Sequence, residues 1–167
     1  MPTLAFAVNR QNLNSIAALT GALEIDPRTG KLPLQFLWQD ERLMPRLRNL
    51  TSQSDRLIVA LSFATADLPE ATRLLAELQA LCPVPSVVAG GPHPSARPGE
   101  ALGLGAHAVV TGEGEAVLPA LLERVLAGES PAGLPNVTTA AADGSLLHGP
   151  RSGPVDLDSY PPMGVEH

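Results

Sequence analysis

The sequence predicts an α/β fold: a doubly wound, five-stranded parallel sheet in the order 2-1-3-4-5, with a C-terminal hairpin and extended tail. Three observations carry this prediction. Short apolar runs alternate with stretches whose apolar residues recur at helical spacing. The central run, "RLIVALSF" (Arg56 to Phe63), is apolar without alternation, as suits a strand covered on both faces. Small or glycine-rich groups, such as Gly90-Gly91 and Gly112 to Gly114, follow the runs where strands should turn into helices. Strand–helix alternation of this kind gives a parallel sheet with helices on both sides, of flavodoxin-like or Rossmann-like topology.

The elements follow in order. Leu4 to Val8 is a short buried strand, and Leu13, Ile16, Thr20 and Leu23 mark the helix after it. "DPRTG" (Asp26 to Gly30) is a turn, and "LPLQFLW" (Leu32 to Trp38) reads as the second strand. Asp40 can cap a helix over Leu43, Leu47 and Leu50, with Pro45 near its start. After the third strand, Asp67 and Glu70 form a D-x-x-E capping pair with Pro69 in the first turn. Leu68, Ala71, Leu74, Leu75, Leu78 and Leu81 make the buried stripe of that helix. "SVVAGG" is the fourth strand, "PGEALGLG" a short helix ending in glycine, and "AHAVVTGEGE" the fifth strand and its exit. Val117, Leu118, Leu121, Leu122 and Val125 belong to a last helix. The domain then ends near residue 130. Residues 131–167 are expected to form a small unit, with "VTTAAADGSLLHG" a hairpin turning at Asp143-Gly144 and "PVDLDSYPPMG" an extended tail.

Composition narrows the function. At 167 residues, with 44% hydrophobic and 17% charged residues, the chain supports one sizeable core. Its net charge of −6 and 3% aromatics lack the basic stripe and stacking platforms of a nucleic-acid binder. No apolar stretch is long enough to span a membrane and no basic signal-peptide start is present, so a cytoplasmic protein is expected. The single Cys82 excludes an internal disulfide framework or a multi-cysteine metal site, and reads as a buried structural thiol.

Ligands of doubly wound sheets bind at the carboxyl ends of the strands. Here those ends carry Asn9 to Asn14, Ser62 to Thr65, Gly90 to Ser95, and Thr111 to Glu115. Gly90, Gly91, Gly112 and Gly114 let a bulky ligand approach the backbone, or serve only as turns. Ser62 and Thr65 add hydroxyls. His93, between two prolines, reads on the chain alone as an exposed loop residue, and Glu113 and Glu115 as acids at a helix N-terminus. The dinucleotide fingerprint fails for want of its third glycine in "VTGEGEAVL", and no G-x-x-x-x-G-K-[ST] phosphate loop exists. "NRQNLNS" is not the hydroxyl-rich loop of a flavodoxin, nor does "ALSFAT" supply a receiver domain's aspartate.

The stretch "VVAGGPHPSARPGEALGLGAHAVVTGEGEAVLPALL" resembles the cobalamin-binding domains at the N-termini of B12-binding radical SAM proteins. In these, a strand ending GG-x-H-P-[ST] leads through a short helix to a strand ending G-E-G-E. "SFAT" (Ser62 to Thr65) is similar to the family's S-x-x-T after the third strand. The resemblance covers Val87 to about Leu122 well, and the N-terminal half only in element order. It implies a corrin ring over the strand ends and a nucleotide tail entering a groove beside the sheet, with Gly90 and Gly91 clearing space for the tail. Ser62, Thr65, Gly90, Gly91, His93, Ser95, Gly112, Glu113, Gly114 and Gln11 become the candidate cofactor-binding residues.

Two departures shape what the resemblance implies. Cobalamin domains of mutases and methionine synthase place D-x-H-x-x-G after strand 1, the histidine binding cobalt. Gln11 stands at that position here, and an amide is a poor cobalt ligand. Cobalamin is therefore expected in a base-off form without a protein histidine ligand. The C-x-x-x-C-x-x-C that holds a 4Fe-4S cluster and supports S-adenosylmethionine cleavage is also lacking, although "DLDSYPP" (Asp156 to Pro162) resembles the connector that precedes such a core. The chain is expected to be a fragment presenting cobalamin to a radical SAM core in cis, rather than a carrier acting on a core in trans. No catalysis is expected from this chain alone; methyl transfer or other radical chemistry is expected of the intact enzyme. The alternative is a flavodoxin-like scaffold whose crevice binds a protein partner or small nucleotide, with "AVLPALLERVLAG" contributing an interface.

Overall fold

The apolar run at the N-terminus forms strand β1 (Thr3–Val8), all six residues buried. In the computed structural model, which describes residues 1–153 together with Asp156 and Tyr160, it lies inside one continuous sheet. The rest of the expected extended tail and connector, with His167, lies outside the described residues. Helix α1 (Leu13–Ile25) follows, then β2 (Leu34–Trp38), α2 (Leu43–Gln53) and β3 (Leu57–Ser62). One turn of 3-10 helix (Thr65–Asp67) leads into α3 (Leu68–Gln79), and β4 (Ser86–Gly90) into α4 (Pro92–Ala96) and α5 (Pro98–Gly103). β5 (Ala108–Val110), α6 (Leu118–Ala127), β6 (Val137–Ala140) and β7 (Leu146–His148) complete the order.

The sheet runs β2-β1-β3-β4-β5-β6-β7. Its first five strands are parallel in the expected 2-1-3-4-5 order. The hairpin forms around Asp143-Gly144 as expected, but it is not an appendage to the sheet: β6 pairs antiparallel with β5, and β7 with β6. The sheet is therefore mixed and seven-stranded. The pairing rests on main-chain groups, with Thr111 N donating to Asn136 O and Gly149 N to Val137 O.

Alternation along each strand splits the core into two layers. Ala5, Val59, Leu61, Val87, Ala89 and Val109 face α2, α3 and α5, where Leu47, Leu75 and Leu78 close the layer. Leu4, Phe6, Ile58, Val88, Ala108 and Val110 face α1 and α6, against Ile16, Leu23, Leu121 and Leu122. Burial of Leu118, Leu121, Leu122 and Val125 uses the apolar face of α6 inside the domain, so "AVLPALLERVLAG" is core and not an interface.

Three local expectations are corrected. Asp67 does not cap α3 with its side chain; its Oδ2 accepts from Ala64 N at 3.2 Å, closing the turn before the helix. Cys82 is exposed, because α3 ends at Gln79 and the segment after it leaves the core. The "PHPSA" stretch is a helical turn rather than an open loop, with its prolines where a first turn tolerates them.

Candidate functional site: a cavity hollowed from one face of the sheet

On the α1/α6 face, side chains shrink toward the carboxyl ends of the strands. Along β3 the same-face series is Ile58, Ala60, Ser62, along β4 Val88, Gly90, and beyond β5 Val110, Gly112. Ser62 pairs with Gly90 and Ala60 with Val88, so the small residues lie side by side. Neither α1 nor α6 fills the space this leaves. The result is a cavity of about 330 Å³, floored by Phe6, Ala60, Val88 and Val110, walled by Ile16 and Leu19, and reaching Leu118. That volume is in the range of small-ligand sites, about 300–1,000 Å³.

The candidate residues divide between this cavity and its supports. Ser62, Gly90, Gly91, Ser95, Gly112, Glu113 and Gly114 line it. Ser95 is fixed there by the amide of Gly112, which donates to its Oγ at 3.1 Å. Thr65 and His93 do not line the cavity. They meet each other instead, Thr65 Oγ1 lying 3.1 Å from His93 Nδ1, with the His93 ring stacked on Phe63. The expected exposed loop histidine is thus buried, 3% exposed, with Nε2 3.4 Å from Glu100 Oε2 and no hydrogen bond to that nitrogen. Phe63 and Thr65 belong to the chain leaving β3, and this packing ties that exit to α4.

Gln11 is exposed and outside the cavity wall. Its loop is organised by its neighbours: Asn9 Oδ1 accepts from Gln11 N and Asn12 N, while buried Asn12 donates from Nδ2 to Ala7 O.

The two glycines of the GG pair have different reasons to be glycine. A Cβ at Gly90 would meet only Val110 O, at an ordinary 3.8 Å, so its missing side chain leaves the cavity open. Gly91 has φ +91°, and a Cβ there would lie 2.6 Å from Ser62 Oγ and 3.1 Å from Phe63 N. Its glycine serves the backbone.

The sequence places Glu115 as an acid at a helix N-terminus; in the fold it is a cavity residue. It is 5% exposed, it lines the cavity, and its Oε2 is buried without a hydrogen-bond partner. Burial raises its pKa above the ordinary carboxyl value, and the nearby Glu113 charge pushes the same way; the backbone amides of Glu115 and Gly114 oppose this less strongly than burial favours it. The folded protein therefore holds this proton more tightly than the unfolded chain does, and stability falls as pH rises from the ordinary carboxyl range through the raised folded value. Among the described residues, Glu113 is the other titratable group in the cavity wall. Thermal melts across this range should show the decline in the wild-type protein and a flatter profile in Glu115→Gln. Parallel profiles for the two proteins would contradict it.

No helix among the described residues is long and apolar enough to cross a membrane. No curated protein matches the sequence. Among solved structures, the radical S-adenosylmethionine methyltransferase TsrM from Kitasatospora setae, with cobalamin and a [4Fe-4S] cluster bound, superposes with a TM-score of 0.72 at 18% identity. The alignment covers 96% of this chain and 31% of that one. The cobalamin-dependent S-adenosylmethionine radical enzyme OxsB, with aqua-cobalamin and S-adenosylmethionine bound, gives 0.58 at 17% identity, covering 92% of this chain and 22% of OxsB. This chain thus spans under a third of the length of either enzyme. A family model for the B12 binding domain matches residues 36–122, from within β2 into α6 and across most of the cavity wall, and the chain belongs to that family.

Proposed function

We propose that the chain presents cobalamin, with its nucleotide tail in the α1/α6-side cavity and its corrin ring over the carboxyl ends of the strands, to a radical SAM core. The hollowing of one sheet face at Ala60, Ser62, Gly90 and Gly112 carries this reading. The residues present fit the tail: an apolar floor suits an aromatic base, Gly90 leaves room beside it, and Glu115 offers a buried polar atom with no protein partner. Ser62, Ser95 and the backbone near Gly112 and Gly114 would hold the tail, while Thr65 and His93 fix the β3 exit above which the ring lies. When bound, cobalamin supplies a cobalt centre able to carry a methyl group. The chain's own residues bind it, orient it and exclude water from its tail. Core and module are joined in one polypeptide in this proposal, as the likeness to a minor part of TsrM and OxsB supports.

The tail base is displaced from cobalt and no histidine replaces it. Among the described residues no histidine lines the cavity: His93 is packed against Phe63 and Thr65, His107 precedes β5 at the opposite end of the sheet, and His148 Nδ1 lies 3.0 Å from Thr138 Oγ1. Titration with hydroxocobalamin followed by desalting should leave one corrinoid per chain. The electron paramagnetic resonance spectrum of the cob(II)alamin form should lack nitrogen superhyperfine splitting. A colourless protein would overturn the binding reading, and nitrogen splitting would overturn the base-off reading alone.

A further inference from the structure

The carboxyl of Glu115 is only partly satisfied: backbone amides of Glu115 and Gly114 reach it, and one oxygen has no hydrogen-bond partner among the described residues. Its Oε2 is buried in the cavity wall without a hydrogen-bond partner, and a buried oxygen of this kind is costly unless a ligand completes it. Among the described residues no lysine, arginine or histidine lines the cavity, and the other ionisable residue in its wall, Glu113, is an acid. An ionised Glu115 would have no counterion there and would repel the phosphodiester of a corrinoid tail. In its acid form the same group is a hydrogen-bond donor. A tail base lifted off cobalt carries a ring nitrogen whose lone pair has lost its metal, and that nitrogen needs a donor.

We infer that Glu115, in its acid form, donates a hydrogen bond to the free ring nitrogen of the displaced tail base, making this chain selective for corrinoids whose tail ends in a nitrogen heterocycle. The inference rests on the proposed seat of the tail in the cavity. A site built to hydrogen-bond a ligand atom rejects the analogue that lacks it, since its own buried polar group is then left unpaired. The analogue here is a cobamide with a phenolic tail, a smaller single ring with no ring nitrogen, so the change specific to Glu115→Leu, rather than the wild-type preference alone, isolates the hydrogen bond.

The test is a visible-spectrum titration of the wild-type chain, Glu115→Gln and Glu115→Leu with cobalamin, p-cresolyl cobamide and tail-less cobinamide, alongside thermal melts of the unliganded proteins. The wild type should favour cobalamin over p-cresolyl cobamide by roughly tenfold or more. Glu115→Gln, whose amide still donates, should keep most of that preference. Glu115→Leu should lose roughly tenfold for cobalamin with no loss for p-cresolyl cobamide, its thermal melt serving to show that it is folded. Equal losses for both tails, or no loss for either, would overturn the inference. Should Glu115→Leu fail to fold, equal wild-type affinities for the two tails would overturn it. Cobinamide binding as tightly as cobalamin is a separate failure: it would show that the tail does not use the cavity, ending the proposed seat and the inference together.

Discussion

Replacing Gly90 with phenylalanine is expected to abolish corrinoid retention while the protein stays folded. The benzyl group would start from a Cβ whose only close neighbour is Val110 O at 3.8 Å and would extend into the space between the sheet and α1. Since Gly90 ends β4 and its φ is not positive, the strand conformation accepts a side chain. The ligand loses its seat, and affinity should fall by roughly a hundredfold or more, equivalent to about 3 kcal/mol of lost contact. Corrinoid titration reports the loss, and a far-ultraviolet circular dichroism spectrum like that of the wild type shows that the fold survives. Retained binding would mean that the tail lies elsewhere.

The neighbouring substitution, Gly91→Ala, should act on the fold instead. Its φ of +91° disfavours any side chain, and the new methyl would press on Ser62 Oγ and on Phe63 N and O at 2.6 and 3.1 Å. Those Phe63 groups are committed already, the amide donating to Gly90 O at 3.3 Å and the carbonyl accepting from His93 N at 3.2 Å. Relief therefore requires the β3 exit to move away from α4. A loss of about 2–4 kcal/mol is expected in urea denaturation, the sum of backbone strain and steric displacement. A loss under about 0.5 kcal/mol would show that the β3 exit yields without cost. Because both substitutions would lower corrinoid binding, only the pairing of a binding assay with a stability measurement distinguishes a site residue from a scaffold residue.

Much of this was legible in the chain. Apolar runs such as "RLIVALSF" announce strands covered on both faces, and the helix over Leu68 to Gln79 follows from its spacing. The joining of the hairpin to the sheet was not legible, since the pairing of Val109 with Thr138 is a tertiary choice and β5 is only three residues long. His93 misled because flanking prolines suggest an open loop. Its burial depends on Phe63 and Thr65, distant in sequence, which only the folded β3 exit brings beside it. Glu115 was missed for a related reason: acids before a helix ordinarily face water, and only the gap left by small residues on three neighbouring strands turns this one inward. A signal was nonetheless present. Every second residue in a run such as "LIVALS" belongs to one face, and Ile58, Ala60 and Ser62 beside Val88 and Gly90, taken as one surface, already outline the hollow in the sequence.

The two-layer core has a consequence for how such a module can change. The face against α2, α3 and α5 closes on its own buried cluster, while the floor and wall of the hollow at Phe6, Ile16, Ala60, Val88 and Val110 belong to the other. Folding security and ligand choice are thus kept in separate compartments of one sheet. Positions such as Ala60 and Gly90 that set the shape of the hollow can be exchanged without touching the buried layer of Leu47, Leu75 and Leu78 on the opposite face. A descendant chain, or a designer, inherits a socket that can be recut for a different tail while its foundation stays in place.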